Sequence, residues 1–140
     1  MKDHLEHIAS TAIGKAIEIH RELGPGLLES VYQKCLAYEL RSAGFQVEEE
    51  KPVPLVYKGV DLNTGFRIDL FVDQCFVIEV KAAKSVPPVE LAKALTYLRL
   101  TGTSLGLLLN FHVPVMKEGI KRLVNDYRGE RVKGGKNAKG

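Results

Sequence analysis

Residues 67–81 read RIDLFVDQCFVIEVK. Two apolar runs flank Asp73-Gln74-Cys75, and the pattern is that of two β-strands joined by a tight turn, over 65–73 and 75–82. Asp69, Glu79 and Lys81 fall inside these runs, although charged side chains are almost never fully buried unless paired. Successive side chains of a strand point to opposite faces, so Glu79 and Lys81 share a face and Val80 takes the other. Asp69, on the partner strand of a hairpin, comes close to that pair. Two carboxylates and one ammonium thus converge on one patch of sheet. Neighbouring carboxylates repel unless a cation lies between them, and oxygen ligands of this kind suit Mg2+ or Mn2+. A lysine beside such a cation can orient or help to activate water, which outlines a phosphodiester-cleaving site. The plainer alternative is a Glu79–Lys81 ion pair at a sheet rim, worth about 0–1 kcal/mol. The matching place of Asp69 and the apolar setting FVIEVKA argue for the cation site.

Working outward, residues 3–23 place Leu5, Ile8, Ala9, Ala12, Ile13, Ala16, Ile17, His20 and Leu23 on one helical face, and GPG at 24–26 ends that helix. A second helix is predicted over 28–43, with Gly44 as its stop. From Phe45 to Tyr57 the chain reads as an edge strand: Val53, Leu55 and Tyr57 alternate, and Pro52 and Pro54 would be unwelcome in a central strand. Pro87-Pro88 starts a helix that buries Leu91, Ala94, Leu95 and Leu98 and closes at Gly102. LGLLLN at 105–110 is a short continuous apolar run, as in a central strand covered on both faces. Val115, Met116, Gly119, Ile120, Leu123, Val124 and Tyr127 predict a final helix. The order α-α-β-β-β-α-β-α implies an α/β fold with a mixed central sheet flanked by helices.

Asp69, nine intervening residues, then Glu79-Val80-Lys81 resembles the core motif of the PD-(D/E)XK nuclease superfamily. GLLESVY at 26–32, with Gly26, Glu29 and Tyr32, is similar to the motif of the GxxExxY protein family within it. IHRELGPG, LGLLLNF and VPVMKEGIKRLV extend the likeness over residues 5–125. The resemblance implies a restriction-endonuclease-like αβββαβ core. It further implies metal ligation by Asp69 and Glu79, with the Val80 carbonyl as a further ligand, and Lys81 near the attacking water. By the same resemblance Glu29 joins the metal site directly or through water. Its alternative role is local, because an acidic residue in the first turn of a helix is stabilised by about 0.3–1 kcal/mol. Tyr32 either supports substrate or packs its ring and hydrogen-bonds its hydroxyl.

Glu90, Lys93 and Tyr97 lie at i, i+3 and i+7 of the third helix, a stripe apart from its leucines that would border the metal site. The family pattern has glutamine where this chain has Lys93. That lysine would contact a phosphate, disturb the network that the glutamine completes, or stand exposed. His20 reads as a hydrogen-bonded core histidine. No nucleophile-elbow serine is present, and GPG lacks the Gly-Lys-Ser/Thr of a phosphate-binding loop.

At 140 residues, 45% hydrophobic and 26% charged, the chain has the composition of one globular domain, expected over 1–127. No apolar run approaches the roughly 18 residues of a membrane-spanning helix, and MKDHLEHIAS has no secretory apolar core. A cytoplasmic location is expected, with Cys35 and Cys75 reduced. Residues 128–140 hold five basic residues and one acidic, a net +4 that leaves the rest at −1. This Gly/Lys-rich tail reads as disordered and solvated, or as a basic arm that follows phosphates. The expectation is a Mg2+- or Mn2+-dependent nuclease acting on nucleic acid, chiefly DNA. The alternatives are a non-catalytic nucleic-acid-binding or interaction protein on the same fold, and a metal-dependent enzyme acting on a small nucleotide. A homo-oligomer is compatible with these features.

Overall fold

The computed structural model describes residues 2–125, so the expected tail and Tyr127 lie outside the described residues. Helix α1 spans Lys2–Leu23 and α2 Glu29–Ser42. They are followed by β1 (Val47–Pro52), β2 (Leu55–Tyr57), β3 (Val60–Leu62), β4 (Arg67–Val72) and β5 (Phe76–Lys81). Helix α3 (Pro88–Thr101), β6 (Leu105–Asn110) and β7 (Ile120–Val124) complete the described chain. Five strands form one sheet in the order β1-β4-β5-β6-β7, while β2 and β3 form a separate two-stranded hairpin. Among the described strands of this sheet, only the β5–β6 pair is parallel. Parallel neighbours require a crossover, and α3 provides it. Stripped of the β2–β3 insertion and of β7, the order from α2 onward is the restriction-endonuclease-like αβββαβ core.

Helix boundaries follow from local chemistry. Pro88 occupies the first turn of α3, where its missing N–H costs nothing, and Gly102 closes the helix at φ 70° in the left-handed region. The first face of the sheet packs on α1 and α2 through Leu70, Val72, Ile78, Val80, Leu107 and Leu109, against residues such as Ile8, Ala12 and Leu36. The second packs on α3, with Phe71, Val77 and Leu108 against Ala94, Tyr97 and Leu98. Each fully buried large apolar side chain contributes about 1.5–3 kcal/mol by leaving water. Strand β6 is buried along its whole length, as its unbroken apolar run predicts for a strand with helices on both faces.

The β4–β5 turn carries two non-glycine residues at positive φ, Asp73 at 50° and Gln74 at 57°. Aspartate tolerates this region better than most residues. Here its carboxylate also accepts the Gln46 N–H at 2.8 Å and lies 3.0 Å from His4 Nε2, which ties α1 and the start of β1 to the turn.

Two expectations need correction. Residues 115–127 do not form a helix: a 3-10 turn covers Met116–Gly119 and β7 follows, antiparallel to β6. Strand β6 would otherwise present a row of unpaired backbone groups at this edge, and pairing satisfies them. The approach is so close that a Cβ at Gly119 would run into the Asn110 carbonyl oxygen. Likewise, the edge strand expected over 45–57 stops at Pro52. The alternation of Leu55 and Tyr57 belongs to β2, which turns through Lys58 (φ 50°) and Gly59 (φ 80°) into β3.

Candidate metal centre

The β4–β5 ladder pairs Val72 with Phe76, Phe71 with Val77 and Leu70 with Ile78. Beyond that point the carboxylates bridge the two strands. Glu79 Oε2 accepts the Asp69 N–H at 2.9 Å, and Asp69 Oδ2 accepts the Val80 N–H at 2.8 Å. Each acid is thereby fixed by the backbone of the opposite strand, with its other oxygen free of hydrogen bonds to described residues. Glu79 lies between Ile78 and Val80, which face α1 and α2, so it projects toward α3, as does Lys81.

Burial makes this arrangement costly for charge. Glu79 is 4% exposed. Desolvation, followed by the charge of Asp69, pushes its pKa from 4.5 up to about 8, against the opposing effects of the Asp69 N–H and of Lys81 and Lys93. Asp69 is pushed from 3.8 up to about 6, first by burial; the Val80 N–H opposes this, while Glu50 and Glu29 add repulsion. The two acids titrate as a pair. Lys81 answers only part of their charge, because its ammonium bonds Glu90 Oε1 at 2.8 Å. Burial alone would lower the Lys81 pKa, but the hydrogen bond and charge of Glu90, with Glu29 and Glu79, raise it instead.

The remaining expected residues fall around this centre in different ways. Glu29, in the first turn of α2, is exposed, and its Oε2 accepts the Ala82 N–H at 3.4 Å, one residue beyond Lys81. Lys93 is exposed and lies 3.5 Å from Glu90, so Glu90 joins two lysines. Tyr97 is buried, and its hydroxyl pKa is raised by burial and then by the charge of Glu79. Tyr32 is buried in the core: its ring stacks on Phe111 at 4.4 Å, and its hydroxyl donates to the Gly24 carbonyl and accepts the Leu27 N–H. It therefore shapes the loop that delivers Glu29. His20 is a core histidine, its Nε2 2.7 Å from the Val113 carbonyl. Cys35 and Cys75 are free.

Three contributors were not assigned from the sequence. Glu50 falls between the register pairs Glu49–Leu70 and Lys51–Ile68, opposite Asp69. It has φ 54° and is held by Gln33 Nε2 at 3.0 Å. Gln33 lies one helical turn after Glu29, which is the only sequence signal for it. Asn110 pairs with Lys81 at the end of the β5–β6 ladder. Its amide accepts the Ala83 N–H at 3.1 Å, donates to the Ala83 carbonyl at 2.9 Å and accepts the His112 N–H at 3.1 Å. It extends the ladder by one side chain and fixes the chain that leaves Lys81.

Among the described residues, no three His, Cys, Asp or Glu side chains form a ready-made metal cage. Magnesium sites commonly use one or two carboxylates and complete their shell with water and substrate phosphate. A buried carboxylate pair, each acid with one oxygen free and both destabilised as anions, fits that donor set.

A mixed sheet with paired acids and a lysine at the open end of its central hairpin defines a nuclease-type framework. A family model for the PD-(D/E)XK nuclease superfamily matches residues 6–123, and the chain belongs to that superfamily. Its nucleases act on nucleic acid and generally use divalent metals. Comparison with curated proteins and with solved structures gave no match. No helix among the described residues is long and apolar enough to cross a membrane.

Proposed function

We propose that this protein is a Mg2+- or Mn2+-dependent nuclease that hydrolyses phosphodiester bonds in DNA. Within the superfamily, it is read as belonging to the GxxExxY group on its Gly26, Glu29 and Tyr32. The observation that carries the proposal is the Asp69–Glu79 pair, with both pKa values raised, next to a lysine held in place by Glu90. Asp69 and Glu79 would hold the cation, with the Val80 carbonyl and Glu29 as further oxygen donors. When bound, the cation supplies Lewis acidity toward the phosphate oxygens.

The chain's own residues do the rest. Hydrogen bonds from the opposite strands fix the two carboxylates before substrate arrives, so little reorganisation is left for the reaction. Because Glu90 raises the Lys81 pKa, the ammonium stays protonated at neutral pH. Lys81 then acts as a hydrogen-bond donor and positive charge, orienting water and offsetting charge on the phosphate, and does not serve as the proton acceptor. Lys93, exposed and 3.5 Å from Glu90, would meet a phosphate further along the strand.

The engagement of Lys81 by Glu90 also favours a second reading, a non-catalytic nucleic-acid-binding protein on the same fold. Cleavage of labelled DNA in Mg2+ or Mn2+ separates the two. The nuclease reading expects cleavage that is lost in Lys81→Ala while the melting temperature is retained. Equal cleavage by wild type and Lys81→Ala would assign the activity to a contaminant. No cleavage by wild type on single-stranded, duplex or branched DNA would favour the second reading.

A further inference from the structure

We infer that the β2–β3 hairpin is a nucleic-acid-docking arm, in which Tyr57 stacks on an unpaired base of the substrate strand and Lys58 meets its phosphate. The inference rests on the reading of Asp69, Glu79 and Lys81 as a phosphodiester-cleaving site. Register places Leu55 opposite Leu62 and Tyr57 opposite Val60 on one face, and Val56 opposite Asp61 on the other. The first face is wholly apolar, yet Tyr57 is 58% and Val60 55% exposed. A two-stranded hairpin is marginally stable by itself in water, and this one is anchored at its base. There Val53 N–H bonds the Phe66 carbonyl at 3.0 Å, and the Phe66 ring lies 6.0 Å from that of Tyr97.

Position and charge identify the occupant. The arm grows from the end of the β1–β4 ladder, whose last pair is Pro52 with Arg67, and Asp69 follows two residues later. Residues 52–67 carry Lys58 and Arg67 against Asp61, a net +1, whereas Lys51 at the foot of the arm is paired with Glu48 at 3.2 Å. A polyanion lying across the candidate metal centre would meet Lys58 and Arg67 on this arm. Lys58 Nζ sits 5.4 Å from the Tyr57 ring centroid, pairing an aromatic surface with a cation, the combination by which proteins hold single strands. A second copy of the chain is the poorer fit. This apolar face offers four side chains, whereas a stable protein interface needs roughly 20–30 residues on each side.

The test is fluorescence anisotropy of the full chain on single-stranded and blunt duplex DNA. It uses Mg2+ and a Lys81→Ala background, so that binding is read without cleavage. The single strand should bind more tightly than the duplex. Tyr57→Ala should weaken single-strand binding by roughly 5- to 150-fold, Tyr57→Phe should retain it, and Lys58→Ala should lower the salt slope by about 0.7. The melting temperature and Mn2+ affinity should stay unchanged in all three. Unaltered binding by Tyr57→Ala would overturn the arm and leave the cleavage-site reading standing. Failure of the parent protein to bind any oligonucleotide would overturn both. A dimer in sedimentation that Tyr57→Ala dissociates would assign the face to a second copy and overturn the arm.

Discussion

Replacing Glu79 by glutamine should stabilise the metal-free protein at alkaline pH. The substitution conserves volume and keeps an acceptor oxygen for the Asp69 N–H, now 2.9 Å from the carboxylate, so it removes little besides the charge. Burial and the charge of Asp69 raise the Glu79 pKa from 4.5 to about 8. Between these values the folded protein holds a proton that the unfolded chain has released, so stability falls as pH rises through this window. Below it, both states are protonated and the penalty vanishes. Each pKa unit corresponds to about 1.4 kcal/mol. Because part of the cost is shared with Asp69, about 3 kcal/mol is the expected gain for Glu79→Gln at the alkaline end. Urea denaturation in EDTA across this range reads it directly, since a changed midpoint at constant slope is a change in stability. Wild type should lose stability steadily toward about pH 8, while Glu79→Gln should show a flatter profile that meets wild type at the acid end. A variant no more stable than wild type at about pH 8 would show that the buried charge carries no such penalty.

Asn110→Leu strands the Ala83 N–H and carbonyl and the His112 N–H and should cost about 2–4 kcal/mol in urea denaturation. Cleavage should fall as well, with Asn110→Asp retaining more of both because it still accepts the two N–H groups. Gly119→Ala places a Cβ against the Asn110 carbonyl and should cost about 1–3 kcal/mol, with amide exchange faster in β6 and β7 than in α1. No change in exchange there would mean that the close approach is readily relieved.

The hairpin at 67–81 was legible because its apolar runs and charged exceptions both follow strand periodicity. The pairing of Asp69 with the Glu79–Lys81 side of β5 follows from it. Residues 115–124 were misread because Met116, Ile120 and Leu123 at helical spacing also suit a turn followed by a short strand. What decides between them is the open edge of β6, and that is a tertiary fact. The β2–β3 hairpin was missed for a local reason: Lys58-Gly59 is a weaker signal than the Asn-Gly or Asp-Gly that usually marks such turns. Within the site, Glu29 carried a motif, whereas Glu50 and Asn110 did not. Glu50 matters only because β1 lies beside β4, and Asn110 only because the parallel ladder ends at Lys81. Glu90 stood out on a helical stripe, but its bond to Lys81 depends on how α3 packs on the sheet.

The decisive measurement is calorimetric titration of Mn2+, supported by melting temperature, on wild type and Asp69→Asn with and without a DNA oligonucleotide. A cation held by Asp69 and Glu79 binds the folded chain alone, so at about 100 times its dissociation constant it should add about 2.7 kcal/mol of stability. Asp69→Asn should abolish most of that gain while leaving the metal-free protein as stable as wild type or more so, because it relieves repulsion with Glu79 at nearly constant volume. Absence of Mn2+ binding even with DNA present, or an equal gain in wild type and Asp69→Asn, would contradict a metal site on this hairpin.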